Sequence, residues 1–298
     1  MHCRHACLWL VAGLFAIYLY LRAHLQLDFT AQELEVRSPR SPGTREEQVT
    51  MRVNSFRRLD LLEFFLDYYK SCAVVSQIQV VWSDQQNAPP LEWSKRFPPG
   101  KVVFEVHDKD SLNNRFLALQ AVPTEAVLSI DDDLVIPCPA LQEALRVWQS
   151  FDQALVGFSP RMLGFNAVTG SVRYLRWQHT WWSGLYAVML TKAAFLHRDH
   201  LQAFASLVPA AFLAHVDQAR NCEDIAMAYV VAKRSGAAPV WVDGVVYEVS
   251  ETGISSGQGH FADRGECLAL LHRLAGDFPW VTGSQKVSRL TLLDVRNL

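Results

Sequence analysis

Val127-Leu128-Ser129-Ile130-Asp131-Asp132-Asp133 is the stretch on which the fold turns. Its first four residues, apolar and partly β-branched and bounded by polar neighbours, read as a buried strand that delivers three consecutive carboxylates at its carboxyl end. Open α/β sheets bind ligands at that end of their strands. Such a cluster of hard oxygen donors suits Mn²⁺, or Mg²⁺, held by one or two carboxylates together with substrate phosphates. The same acidic run would also serve as a loop capping the helix that starts near Pro139.

Working outward, Val49 to Val53 reads as a first strand and Leu59 to Tyr69 as a helix with Leu61, Leu62, Phe64, Phe65 and Tyr68 at helical spacing. Ile78 to Trp82 and Val102 to Val106 are further strands, and Asn113 to Ala121 is helical in pattern. This alternation predicts an α/β fold built from βαβ units, with a mostly parallel central sheet. Beyond the aspartates, Ala140 to Phe151 is a helix, Leu155 to Phe158 a strand, and Ser171 to Trp177 pairs with Tyr186 to Leu190. Thr191 to Leu207 mixes helix and loop, and Glu223 to Arg234 is a buried helix. Val240 to Val242 precedes a Gly/Ser-rich loop, Gly253 to Gly259. The natural parse is one catalytic domain over 49–298, with a nucleotide half at about 49–135 and an acceptor half at about 136–298.

Cys7 to Leu21 is uncharged and apolar, and Arg22 follows it. A bilayer core needs roughly 20 apolar residues, so 7–22 reads as a short transmembrane signal anchor, behind a cytosolic tail at 1–6 and ahead of a polar stem at 23–48. A cleavable signal peptide is the competing reading. The short span suits a single-pass type II protein of the Golgi or ER membrane, with its catalytic domain in the lumen. The 28 basic and 30 acidic residues leave a net charge of −2, which offers no basic field for nucleic acid. The six cysteines contain no C-x-x-C pair, against a zinc ribbon or a thioredoxin-like site, and in a lumenal domain some can be disulfides.

Asn221-Cys222-Glu223-Asp224-Ile225-Ala226-Met227 opens the buried helix. It suits helix capping with acidic residues in the first turn, and equally a carboxylate beside a sugar carbon, where Glu223 and Asp224 would diverge so that only one faces the site. His260 and Arg264 share a helix face and could clamp a diphosphate. Arg57, Arg58 and Arg115 stand near strand or helix ends, and each alone is an ordinary surface cation. Trp177, Trp181, Trp182 and Tyr186 suit stacking on a sugar ring, core packing or dimer contacts.

Taken in order, Asn54-Ser55-Phe56-Arg57-Arg58-Leu59-Asp60-Leu61-Leu62, Val80-Val81-Trp82, Asn114-Arg115-Phe116, the three aspartates, Gly157-Phe158-Ser159-Pro160-Arg161, Asn221 to Met227, and His260 with Arg264 and Cys267 resemble the exostosin-like glycosyltransferases of family 64 over almost all of Val49 to Asp277. The resemblance implies a GT-A fold and a retaining, Mn²⁺-dependent transfer from a nucleotide sugar. It places Arg58 and Ser83 near base and ribose, Arg115 near the donor, Asp131 and Asp132 at ribose and sugar hydroxyls, and Asp133 on the metal. It puts Arg161 in the cleft between donor and acceptor, Asp224 under the anomeric carbon, and His260 and Arg264 at the diphosphate and reacting centre, with Cys222 and Cys267 as a disulfide. Glu223 and Trp181 are acceptor-side candidates. Ser83, Glu223-Asp224 and Trp181-Trp182-Ser183-Gly184 are similar to plant-type members that decorate inositol phosphorylceramides, so the donor stays open between UDP-N-acetylhexosamine and GDP-mannose, and the acceptor between a glycan and a sphingolipid. A homo-oligomer is also open. The rival classes are a catalytically silent carbohydrate-binding protein on the same scaffold and a metal-dependent phosphohydrolase.

Overall fold

A computed structural model describes residues 47–90, 92–166, 171–250, 260–277 and 279–288. The expected tail, anchor and most of the stem, the loop at 253–259 and the side chain of His260 lie outside the described residues. Among the described residues no helix is long and apolar enough to cross a membrane.

The elements are β1 (Val49–Ser55), α1 (Leu59–Tyr69), β2 (Val75–Trp82), α2 (Trp93–Arg96), β3 (Val102–Val106), a 3-10 turn (Leu112–Phe116), β4 (Ala126–Asp131), β5 (Leu134–Val135), α3 (Cys138–Ser150), β6 (Val156–Gly157), β7 (Pro160–Arg161), β8 (Leu163–Asn166) and β9 (Ser171–Tyr174). They continue as α4 (Trp177–Ser183), β10 (Val188–Met189), β11 (Ala193–His197), α5 (Arg198–Leu207), α6 (Ala210–Ala219), α7 (Glu223–Ser235), β12 (Val240–Asp243), β13 (Tyr247–Glu248), α8 (His260–Ala275) and β14 (Lys286–Ser288). Eight strands form the central sheet in the order β14-β12-β6-β11-β4-β1-β2-β3. The pairings are parallel except where β11 lies antiparallel to β4 and to β6. Mixed α/β structure around a mostly parallel sheet is therefore the observed architecture.

Period-2 alternation builds a core on each face of that sheet. On β4, Leu128 and Ile130 join one core and Val127 the other. On β11, Ala193 and Phe195 point to the first core while Ala194 and Leu196 point to the second. β6 passes close to β11 only because residue 157 is glycine: a Cβ there would stand 2.8 Å from the Ala193 carbonyl oxygen and from Met189.

Several local expectations need correction. Asn113 to Ala121 does not form a helix but only the short 3-10 turn, closed by the Leu117 amide on the Asn114 carbonyl at 3.2 Å, while the Arg115 carbonyl is taken by Arg52. Ser171 to Trp177 is not paired with Tyr186 to Leu190. Instead β9 pairs with β8, β10 pairs with β7, and Trp177–Ser183 coils into a helix closed by Gly184 in the left-handed conformation. Thr191 to Leu207 contains a full strand of the central sheet, β11. Its apolar residues fill both faces, and a short run of that kind has no period by which to tell strand from buried helix.

The sheet carries a buried ion pair that the sequence reading did not single out. Arg52 of β1 is fully buried, and its guanidinium donates to Glu105 of β3 at 2.8 and 3.0 Å, to Gln79 of β2 at 2.6 Å, and to the carbonyls of Arg115 at 3.0 Å and Asn114 at 3.4 Å. Burial pushes the Glu105 carboxyl up, but hydrogen bonds and charge from His107 and Arg52 outweigh it and hold the group at about 2. That stability is fully present above the usual carboxylate pKa of 4.5 and is lost as pH falls towards 2. Glu105→Gln leaves the arginine charge buried and unpaired, so urea unfolding should show a loss of about 3–5 kcal/mol, with Arg52→Met added to it costing less than the two single changes summed. Additive losses would show that the two residues act independently.

Candidate functional site

The carboxyl end of β4 delivers Asp131, Asp132 and Asp133, and the chain beyond them is tied down twice. The Tyr69 hydroxyl donates to the Ile136 carbonyl at 3.1 Å and accepts from the Ile136 amide at 2.7 Å. Cys72 and Cys138 form a disulfide between the end of α1 and the start of α3, a pairing not expected from the sequence. Across the acidic turn, the Asp133 carbonyl accepts from the Val249 amide at 2.8 Å.

Arg58 reaches this turn from the start of α1, after Arg57 has taken a left-handed φ of 57° that reverses the chain. Its Nη1 donates to Asp133 Oδ2 at 2.8 Å, and its Nη2 donates to Asp132 Oδ1. Arg115, delivered by the 3-10 turn, donates through Nη2 to Asp131 Oδ1 and through Nη1 to the Thr191 carbonyl at 3.1 Å. Burial pushes the Asp132 carboxyl up to about 6, against the Ser55 hydrogen bond and the Arg58 charge. Asp132 Oδ2 is buried and has no hydrogen-bond partner among the described residues. Three carboxylates thus face two guanidinium groups, leaving one negative charge over. An orphaned hard oxygen beside excess negative charge fits a divalent cation. Among the described residues no three His, Cys, Asp or Glu side chains could hold an ion by themselves.

A second cluster forms at the start of α7. Cys222 stands at φ 80°, held by its disulfide to Cys267 of α8 and by the hydrogen bond its backbone N–H donates to Asn221 Oδ1 at 2.8 Å. A non-glycine residue in that region costs of order 1 kcal/mol or more, and such strain gathers at functional sites. Asp224 follows, buried, with its Oδ2 2.8 Å from Arg264 Nη1. Arg264 also donates to the Tyr174 hydroxyl at 2.8 Å and lies over the Tyr174 ring at 5.3 Å. Burial lowers the Arg264 pKa, but the charges of Asp224, Tyr174 and Glu223 more than offset it and carry the net value up. Arg161 is driven the other way: burial and the charge of Arg264 lower it, against Tyr174 and Asp224. Burial also raises the Tyr174 hydroxyl to about 12. Tyr174 is the residue that the sequence reading missed here. Its place in a strand facing Arg264 could have been suspected only by pairing β9 with α8.

Glu223 joins the two clusters. Arg115 feels the charges of Asp131, Glu223 and Asp224, and Glu223 feels Arg115 and Arg264. Both carboxylates of the pair are felt by the same arginines, while only Asp224 makes a direct ion pair with one of them.

The remaining candidates are placed less centrally. Ser83 is buried just past β2, where its Oγ accepts from Asn114 Nδ2 at 3.0 Å. Trp181 lies exposed on α4 with its ring 6.3 Å from that of Trp182. Tyr186 is core rather than a stacking surface: its hydroxyl bonds the Gln285 carbonyl and accepts from the Trp241 amide at 3.0 Å.

Residues 48–292 match the Glycosyl transferase family 64 domain. The chain is 36% identical over 264 residues to Glycosylinositol phosphorylceramide mannosyl transferase 1 of Arabidopsis thaliana, a match covering 84% of this chain and 77% of that protein. It is 30% identical over 247 residues to human Exostosin-like 2, covering 78% of this chain and 74% of the relative. Human Exostosin-2 is 31% identical over 238 residues, 77% of this chain and 32% of that longer protein.

Burial and the neighbouring Asp224 charge push the Glu223 carboxyl from 4.5 up to about 7, against Arg115 and Arg264. A carboxyl raised on folding favours the native state while protonated, so its contribution is lost as pH rises from 4.5 through 7. Glu223→Gln should therefore be more stable than the parent at about pH 8 without donor, with the gain fading at about pH 5, as read by thermal unfolding. A gain that does not change with pH would contradict this.

Proposed function

The chain belongs to glycosyl transferase family 64 and is a glycosyltransferase, and on that premise we propose that it moves a sugar, with retention, from a nucleotide-sugar donor to a glycolipid or glycan acceptor. The observation that carries this reading is the pair of carboxylate–arginine clusters at the carboxyl end of β4 and the start of α7. One is anionic with an orphaned oxygen, and the other holds a buried carboxylate against a largely buried arginine.

In this reading a GT-A type fold sets the donor across the carboxyl ends of β1, β2 and β4, with Arg58 and Ser83 towards base and ribose. Asp131 and Asp132 accept from ribose and sugar hydroxyls. Arg115, fixed by Asp131 and Thr191, faces the donor. Asp133, with the free oxygen of Asp132, would hold Mn²⁺, which when bound offsets the charge of the leaving nucleoside diphosphate. The remaining coordination falls to donor phosphates and water. Asp224 lies under the anomeric carbon and stabilises the positive charge that grows there as the leaving bond breaks. Arg264, with His260, neutralises the departing diphosphate, and Tyr174 holds the Arg264 plane in place. Arg161 lines the cleft beside them, and Glu223 meets the acceptor.

The greater identity to a protein named as a glycosylinositol phosphorylceramide mannosyl transferase, 36% against 30% and 31%, supports a sphingolipid acceptor and GDP-mannose ahead of a UDP-sugar. Two disulfides suit an oxidising lumen. That in turn supports a Golgi or ER protein anchored through 7–22.

Three measurements test the reading. Incubated with a panel of nucleotide sugars and Mn²⁺, the protein should release free nucleotide from one donor class when an acceptor is supplied. Asp224→Asn should slow turnover at least about a hundredfold while donor affinity barely moves, because it removes the charge and keeps the size. Asp133→Ala should abolish Mn²⁺-dependent donor binding in calorimetry with the fold intact. Unchanged nucleotide affinity in that variant would remove the metal assignment, and near-normal turnover in Asp224→Asn the catalytic one.

A further inference from the structure

Among the described residues the exposed tryptophans all lie on α4: Trp177, Trp181 and Trp182 are 55%, 52% and 49% exposed. Phe165 of β8 and Leu185, just past α4, are exposed near them in the chain. The helix that carries them is well fixed. Thr180 is buried, Ser183 Oγ donates to the His179 carbonyl at 2.7 Å, and Gly184 closes the last turn. Exposed aromatic surface on a fixed element marks an interaction site rather than an accident of packing.

Two further features say what covers it. From Gln153 to Arg198 the sequence has no aspartate or glutamate, its longest carboxylate-free stretch, while Arg173 and Arg176 stand exposed beside the tryptophans. The other exposed apolar face, Leu59, Phe64 and Tyr68 of α1, is interleaved with Asp60, Glu63 and Asp67 and would repel an anionic partner. Next to Trp182 lies a shallow hollow of about 450 Å³ lined by Met162, Leu175, Gln178, His179, Trp182 and Ser183, with almost wholly apolar walls. A sugar needs hydrogen-bonding partners in its site, whereas an acyl chain needs only such walls. A second copy related by a two-fold axis would bring the same arginines towards their own counterparts.

We infer that the α4 face is a membrane-docking surface that seats the cleft against an anionic lipid bilayer. Tryptophans settle at the headgroup level of membranes, and arginines beside them are drawn to anionic headgroups. The adjoining strand relates this face to the chemistry. In β9, Arg173 is exposed, while the next residue, Tyr174, is buried and bonds Arg264 of the catalytic cluster. A lipid-borne acceptor held at that surface would present its headgroup beside the cleft. This consequence for the acceptor rests on the glycosyltransferase reading, but the docking itself does not.

Both cores and both disulfides lie within the described residues 47–288, so a chain starting at residue 45 keeps the contacts that hold the described fold together. Floated with phosphatidylcholine vesicles with and without phosphatidylinositol, that chain should partition at least about tenfold more strongly onto the anionic vesicles. Trp177→Ser with Trp182→Ser should lower that binding at least about tenfold, and Arg173→Glu with Arg176→Glu should remove the preference for anionic lipid. Melting temperatures should stay near the parent value, since these side chains are exposed. Absence of flotation, flotation indifferent to both double substitutions, or a concentration-dependent dimer that the substitutions abolish would each overturn the proposal. None of these results would bear on nucleotide release, so the glycosyltransferase reading stands or falls separately.

Discussion

A fully buried arginine in the middle of the sheet is the constraint from which the site follows. Arg52 brings a charge where only complete pairing can be tolerated, since an unpaired buried ion costs several kcal/mol. Its partners come from β2, β3 and the 3-10 turn, so one guanidinium aligns three adjacent strands and fixes the turn that follows them. The carbonyl of Arg115 is one of those partners. Its side chain leaves the same residue to bond Asp131 at the end of β4. Register in the core and position at the site are thereby set by one hydrogen-bonded network.

Charge balance then distinguishes the two clusters. Around β4 the carboxylates outnumber the arginines, and burial leaves one oxygen of Asp132 unsatisfied. That half carries an excess of negative charge. Around α7, Asp224 and Arg264 pair with one another, while Arg161 is a partly buried cation whose pKa is pulled down by burial and Arg264. A donor diphosphate bound with a divalent ion would bring a cation to the first cluster and anionic oxygens to the arginines of the second.

The sequence made the sheet legible where strands were flanked by turns and where alternation was clean, as in β1, β2 and β4. The acidic run announced its own position at a strand end. What stayed hidden depends on contacts distant in the chain. Arg52 looks like any charge in a half-buried strand until Glu105 and the carbonyls of Asn114 and Arg115 surround it. Asn113 to Ala121, helical by pattern, stops after one 3-10 turn, where the Arg115 carbonyl is taken by Arg52. Tyr174 lies in an ordinary alternating strand, and nothing local shows that α8 crosses it. Cys222 with Cys267 was reached through family resemblance, whereas Cys72 with Cys138 had no such guide. The roles of the site residues remain a proposal resting on where the folded chain gathers them.

The left-handed Cys222 shows how covalent and backbone features combine at the start of α7. A non-glycine residue with φ 80° persists only where its surroundings over-determine it. Here the Asn221 side chain takes up its amide and the disulfide to α8 holds its Cβ. Closing that loop is worth about 4 kcal/mol in the chain-entropy view, enough to offset the strain. The bond also joins the two helices whose charges meet, since Asp224 lies two residues after Cys222 and Arg264 three before Cys267. Sliding α7 against α8 would separate a buried carboxylate from its buried partner, so the disulfide and the ion pair enforce the same alignment. A covalent link and a charge pair thus fix the Asp224 carboxylate between the same two helices.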